Sequence, residues 1–263
     1  QGGGGNKWKT PNHEARRAEQ IEKGTTLGVG DAGIWVTYAR GQRPRGVREF
    51  IDLCEVYGEE MYGLKPFHAD ATDEKEDAPA SIEDSIAQEL QSMQEKKTNP
   101  QDRPFTSVNT GIECVFFLKT RSPPINAIDL TIRMCEDARK GEEPKKGVRT
   151  KYINRLVPVV DVDRSSDAGM ERLARDVMGK EFALKEALAD GKYAIRHNIR
   201  HNKELRSDEL IKKVAGYVDE RHKVNLTQPD KVILVEVFQF YCGMSVVDGK
   251  QWEELKRYNL NEM

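Results

Sequence analysis

Apolar positions fall into two blocks separated by polar stretches, and within each block their spacing alternates between strand-like and helix-like. Residues 33–38 are rich in aromatic and β-branched side chains and predict a short strand. Val47, Phe50, Ile51, Cys54, Tyr57 and Met61 then recur at helical spacing over 46–61. Residues 114–118 predict a second strand, and a bend at Ser122, Pro123 and Pro124 leads into a helix marked by Ile125, Ile128, Ile132 and Cys135. This leaves few apolar residues to complete a sheet, so the first lobe is either small or paired with strands the pattern does not reveal.

In the second block, residues 152–160 predict a strand that opens a second core. Pro158 puts its last part at a sheet edge, because proline donates no ladder hydrogen bond. Ser165, Ser166 and Asp167 are caps for a helix through Met170, Leu173, Ala174, Val177 and Met178, bent around Gly179, with a second helical piece at 182–189. A strand from 192 follows, then a helix opened by Ser207 with Leu210, Ile211, Val214, Tyr217 and Val218 inward. After a loop at 225–230, the near-continuous apolar run 232–238 suits a buried central strand, and 241–247 returns beside it. No internal repeat interrupts this order.

A chain of 263 residues can bury two modest cores of roughly 100 residues each. The expected division is a flexible N-terminal segment, 1–30, in which Trp8 and Ile21 dock locally; a first domain, 31–140; a second domain, 141–248; and a C-terminal tail, 249–263. The first domain carries an acidic insertion at about 68–104, mostly linker, with one amphipathic helix at 81–94. No apolar run approaches the roughly 18 residues of a membrane span, and residues 1–9 lack a signal-peptide hydrophobic region. The expectation is an intracellular protein with no membrane partner. The opening on Gln1 and a glycine run, without methionine, points to an incomplete terminus.

The net charge of -2 speaks against nucleic acid only as an average. Residues 70–95 hold nine acids against one base, Lys75, whereas 192–223 is base-rich and adds His197, His201 and His222. Along 192–202 alternation places Tyr193, Ile195 and Ile199 on one side and Arg196, Asn198, Arg200 and Asn202 on the other. Guanidinium groups fork onto phosphates or stack on bases, and amides both donate and accept, so the mixture suits nucleic acid. On the pattern alone a solvated strand face fits equally well. His197 and His201 share the apolar side and read as partly buried structural histidines. The basic turn 39–45 is another phosphate candidate, balanced against an ordinary solvated loop.

Enzymatic chemistry finds little footing. Cys54, Cys114, Cys135 and Cys242 are scattered singly among apolar neighbours, without zinc-type pairs. The glycines of 2–5 follow no strand, and those of 24–33 precede a strand, so neither forms a phosphate-cradling loop. The expectation is no catalytic residues, no metal and no cofactor.

The order of pieces is distinctive: helices, the strand 193–202, a Ser-led helix, the loop Asn-Leu-Thr-Gln-Pro-Asp at 225–230, the apolar strand at 232–237, and Cys-Gly-Met-Ser at 242–245. It resembles a THUMP domain. With Gly-Ile-Trp-Val-Thr at 33–37, the strands at 114–120 and 152–158, and Leu-Lys-Arg-Tyr-Asn-Leu at 255–260, the chain is similar to eukaryotic THUMP-domain tRNA acetylation adaptors. The resemblance runs from about Trp8 to the C-terminus, excluding the acidic insertion.

That resemblance implies an α+β protein, mixed sheets with helices, in which a ferredoxin-like N-terminal domain precedes the THUMP domain. It further implies binding to tRNA at the acceptor stem and 3′ CCA end through Arg196, Asn198, Arg200 and Asn202, with Lys192 and Lys203 at the strand ends, Arg155 on a neighbouring strand, and Arg206. The adaptor itself would not catalyse. It would present serine and leucine tRNAs to a separate RNA cytidine acetyltransferase, which uses acetyl-CoA and ATP to form N4-acetylcytidine in the D-arm, in the nucleus or nucleolus, with the cytoplasm as the alternative. Competing readings are a self-sufficient THUMP-type tRNA-modifying enzyme and a protein-interaction scaffold without RNA binding.

Overall fold

The computed structural model describes residues 26–64, 103–121, 123–141, 150–179, 182 and 191–263. The amphipathic helix expected at 81–94, nearly all of the acidic insertion, Trp8, Ile21, and the helical piece at 182–189 apart from Phe182 lie outside the described residues.

The first sheet is built from β1 (Ala32–Tyr38), β2 (Phe105–Val108), β3 (Val115–Thr120) and β4 (Ile153–Val159), in the order β2-β3-β1-β4 with every pair antiparallel. Helices α1 (Arg43–Tyr62) and α2 (Ala127–Lys140) complete a β-α-β-β-α-β, ferredoxin-like unit. Pro44 starts α1 where its missing N–H costs nothing, and Gly63, at φ 66°, ends it. The Asn126 side chain caps α2 by accepting from the amide of Ile128 at 2.9 Å. Ile34, Val36, Phe116, Leu118 and Leu156 face Phe50, Cys54, Leu130 and Met134 in one cluster, as the helical spacing requires. Inside it the Tyr57 hydroxyl donates to Asp137 at 3.0 Å, tying α1 to α2.

Two strands of this sheet differ from expectation. The strand expected to open the second core is β4, and it instead pairs with β1 in the first sheet. An apolar pattern tells which residues are buried but not which strand they pair with. The strand β2 gives no sequence signal, because only four residues span it and two of them, Thr106 and Ser107, are buried polar groups.

The chain crosses to the second sheet through one residue, Val160, whose amide donates to Met244 at 3.0 Å. That sheet comprises β5 (Asp161–Arg164), β6 (Lys192–Arg200), β7 (Lys223–Val224), β8 (Lys231–Phe238) and β9 (Tyr241–Asp248), ordered β5-β9-β8-β6-β7. β6 runs parallel to β7 and β8, and the other pairs are antiparallel. Helix α3 (Asp167–Leu173), its π-helical continuation Ala174–Met178, and helix α4 (Ser207–Gly216) cover one face through Met170, Leu173, Val177, Leu210 and Val214. Ser166 caps α3 by accepting from the Gly169 amide. Ile211, expected to point inward, is 39% exposed, because α4 packs through the narrower stripe of Leu210 and Val214.

The opposite face of the second sheet meets the first unit. Val232, Leu234 and Val247 join the ferredoxin-like core, and Phe238 packs with Trp35, Phe117, Val159 and Val162. The buried Ser245 hydroxyl donates to the Pro158 carbonyl at 2.7 Å. The tail adds a short helix, α5 (Gly249–Glu254), and two 3-10 turns, Lys256–Tyr258 and Leu260–Glu262. It buries Trp252, Leu255, Tyr258 and Leu260 in that shared core, sealing the junction between the two units.

Candidate nucleic-acid interface

Alternation along β6 separates its side chains as the sequence requires, but the polar side is only partly free: Asn198 is exposed and Arg196 and Arg200 are half-buried. Ala194, fully buried, lies on it, and the face turns toward the first sheet and the tail. Arg200 forms an ion pair with Glu236 of β8, with its guanidinium 5.4 Å from the centre of the Trp35 ring. The Asn198 amide donates to the other Glu236 oxygen at 2.6 Å. Glu236 is 3% exposed. Burial pushes its carboxyl above the ordinary range, outweighing the attraction of Arg200 and the hydrogen bonds from Asn198 and Arg200.

Arg196 donates to the Leu226 carbonyl at 2.9 Å and stands 5.7 Å from the Trp252 ring centre. Asn202 spans a turn: its amide donates to the Gln239 carbonyl at 2.7 Å, and its oxygen accepts from the amides of Glu204 and Leu205. The expected row of four outward groups is thus corrected in three of its members. Asn198 is exposed while donating to Glu236, whereas Arg200 and Asn202 are half-buried and bonded within the fold, and half-buried Arg196 is anchored at the tail. Alternation fixes which residues share a face; it does not reveal what covers that face.

The cations at the rim are different. Lys192, Lys203 and Arg206 are exposed at the two ends of β6; the Arg206 side chain retains 76% exposure beside Asp208 at 3.5 Å. Arg155 is also exposed, but β4 pairs with β1, so it extends the first sheet rather than neighbouring β6. Its backbone bridges Asn259 of the tail. His197 is half-buried on the side facing the helices, whereas His201 is exposed in a left-handed conformation, stacked on Phe238 with centroids 6.4 Å apart.

Sequence reasoning missed several residues here. Arg257 stands 5.4 Å from the Trp252 ring centre, so this indole is flanked by Arg257 and Arg196. Lys256, Arg257 and Tyr258 adopt three successive left-handed conformations, φ 50°, 58° and 58°, which no sequence pattern signals without glycine. The basic turn 39–45 is partly engaged: Arg40 pairs with Glu113 at 3.1 Å, and Arg45 lies 5.9 Å from the Tyr152 ring centre.

Cys54, Cys135 and Cys242 are buried, and burial raises their thiols, that of Cys242 to about 12. Among the described residues, no group of three or more His, Cys, Asp or Glu is placed to hold a metal ion, and no helix is long and apolar enough to cross a membrane.

Comparison with known proteins places this geometry. Residues 166–247, from the cap of α3 into β9, match the THUMP domain family. The chain is 31% identical over 242 residues to an uncharacterized protein of Schizosaccharomyces pombe, covering 92% of this chain and 78% of that one. It is 29% identical over 273 residues to the Saccharomyces cerevisiae protein named tRNA acetyltransferase TAN1, covering 97% and 92%. It is 28% identical over 273 residues to THUMP domain-containing protein 1 of Homo sapiens, covering 100% and 72%.

Proposed function

Because the chain belongs to the THUMP-domain protein family, we propose that it is a tRNA-binding factor of tRNA modification, working as the non-catalytic adaptor of an RNA cytidine acetyltransferase. The observation that carries the tRNA-modification part of this reading is similarity across nearly the whole of both chains to a protein named tRNA acetyltransferase TAN1. In this reading serine and leucine tRNAs are held by acceptor stem and 3′ end and offered to the partner enzyme, which supplies acetyl-CoA and ATP chemistry at a cytidine of the D-arm.

The exposure of individual side chains supports a narrower binding surface. Exposed Lys192, Lys203 and Arg206 at the rim of β6, with Arg155 on the first unit, meet phosphates. Arg200, Asn198 and Glu236 form the framework that keeps β6 against Trp35. Arg196 and Arg257 extend the cationic surface at the tail. Holding tRNA and enzyme together turns a search among cytidines into a tethered encounter at high effective concentration.

Several reactive groups among the described residues serve the fold, with Cys114 half-exposed. Three thiols are kept protonated in apolar cores, and the buried carboxylate of Glu236 is engaged by Arg200 and Asn198. The name of the yeast relative favours a second reading, in which the chain acetylates by itself. Reconstitution separates them. Purified chain with tRNA, acetyl-CoA and ATP is expected to give no acetylcytidine until the separate acetyltransferase is added, and product formed without that enzyme contradicts the adaptor reading.

A further inference from the structure

At one end of the second sheet, the β8–β9 hairpin and the end of β6 hold an aromatic ring in solvent near Arg164, His201 and Lys203. Phe240, in the hairpin turn, is 65% exposed. The Gln239 beside it has φ 51° and His201 has φ 52°, left-handed conformations that cost non-glycine residues on the order of 1 kcal/mol each. The fold holds both in place. The Gln239 amide donates to the Arg200 carbonyl at 3.0 Å, Asn202 donates to the Gln239 carbonyl at 2.7 Å, and the Ser165 amide donates to the Phe240 carbonyl at 2.8 Å. These bonds set Phe240 between residues 164–165 on one side and 200–202 on the other.

Each flank presents a planar nitrogen group backed by an aromatic ring. Exposed Arg164 lies 4.7 Å from the Tyr241 ring centre, and exposed His201 stacks on Phe238 at an interplanar angle of 28°. Exposed Lys203 lies two residues beyond His201, with Glu204 next to it. The nearby Asp163 is engaged by Arg172. A single exposed apolar side chain calls for no explanation. Here the backbone that carries the ring is tied by hydrogen bonds to both neighbouring strands, the planar groups on its flanks lie against aromatic rings, and the surrounding charge is mainly positive.

We propose that this hairpin tip is a stacking site for an unpaired RNA base, an inference that rests on the RNA-binding reading above. The Phe240 ring takes the π-face of the base, Arg164 and His201 stack or hydrogen-bond at its edges, and Lys203 meets the adjoining phosphate. Such platforms tolerate any base, since every base has a π-face. A protein partner would also cover Phe240, but planar nitrogen groups on both sides, with the charges of Arg164 and Lys203, match a base and its phosphates more closely than an apolar protein anchor.

The test measures affinity of the full chain and its Phe240→Ala and Phe240→Tyr variants for three RNAs: a hairpin with a short single-stranded extension, the same hairpin cut flush, and the extended hairpin with abasic nucleotides in the extension. Phe240→Ala is expected to weaken binding to the extended hairpin about 5- to 150-fold, the span of base–aromatic stacking. It leaves the flush and abasic RNAs unchanged, and Phe240→Tyr retains the affinity. If the unaltered chain binds none of the RNAs, the RNA reading falls and this site with it. If it binds while Phe240→Ala makes no distinction among the three, the stacking site alone is overturned. Loss confined to capture of the acetyltransferase also overturns it and makes the tip a protein-binding surface.

Discussion

The guanidinium of Arg200 pairs with the carboxylate of Glu236 on the neighbouring parallel strand and lies 5.4 Å from the centre of the Trp35 ring, so a residue of β6 also joins the two structural units. Removing one partner leaves a buried charge uncompensated. Arg200→Ala is expected to cost about 3 kcal/mol in urea unfolding. The paired replacement Arg200→Met with Glu236→Leu should recover most of that loss, since apolar groups of similar volume need no counter-charge. A single variant as stable as the unaltered protein would show that the pair is not part of the framework.

Two buried acids make opposite contributions to pH dependence. Burial raises Asp163, but hydrogen bonds from Arg172 and the Arg164 amide, with the attraction of both arginines, outweigh it and hold the carboxyl below its usual range. Its stabilisation is present above roughly pH 4 and is lost as pH falls through the folded value. Glu236 is held above the usual range, so folding binds a proton there and stability falls as pH rises through the interval above roughly pH 4.3. Denaturant titrations across acid pH should show less acid sensitivity in Arg172→Gln and a flatter decline above roughly pH 4.3 in Glu236→Gln. Unaltered pH profiles would contradict both assignments.

The junction between sheets leaves no room at Gly243, where an added Cβ would lie 2.7 Å from Val159 Cγ1. Gly243→Ala is expected to destabilise by about 1–3 kcal/mol through overpacking. Gly216 has no atom within 4 Å of an added Cβ, so Gly216→Ala should be neutral or stabilise by up to about 1 kcal/mol. Thermal or urea unfolding of the two variants checks this, and equal effects would refute the packing argument.

Much of the fold is legible in the sequence because local pattern and burial agree. The 47, 50, 51, 54, 57 stripe of α1, the Ser166 cap, and the continuous apolar run of β8 each specify one environment. The errors concern partners. The pattern puts β4 in the wrong sheet because Ile153, Leu156 and Val159 are buried in any sheet, and the first unit closes only with this strand. Along β6 the polar side is legible as a set, but Trp35 lies more than 150 residues away and nothing local announces that it covers Arg200. Phe240 carries no signal in the sequence, because its neighbourhood is set by the turns and strand ends at 164–165 and 200–202, far from it along the chain.

The most direct measurement is the salt dependence of tRNA affinity for the unaltered chain and a Lys192→Gln, Lys203→Gln, Arg206→Gln variant. All three side chains belong to exposed residues, so the fold should persist. If they meet phosphates, affinity drops and the slope of log affinity against log salt becomes shallower by about 0.7–0.9 for each phosphate no longer neutralised. Identical affinity and slope in the folded variant would contradict a cationic rim that holds tRNA.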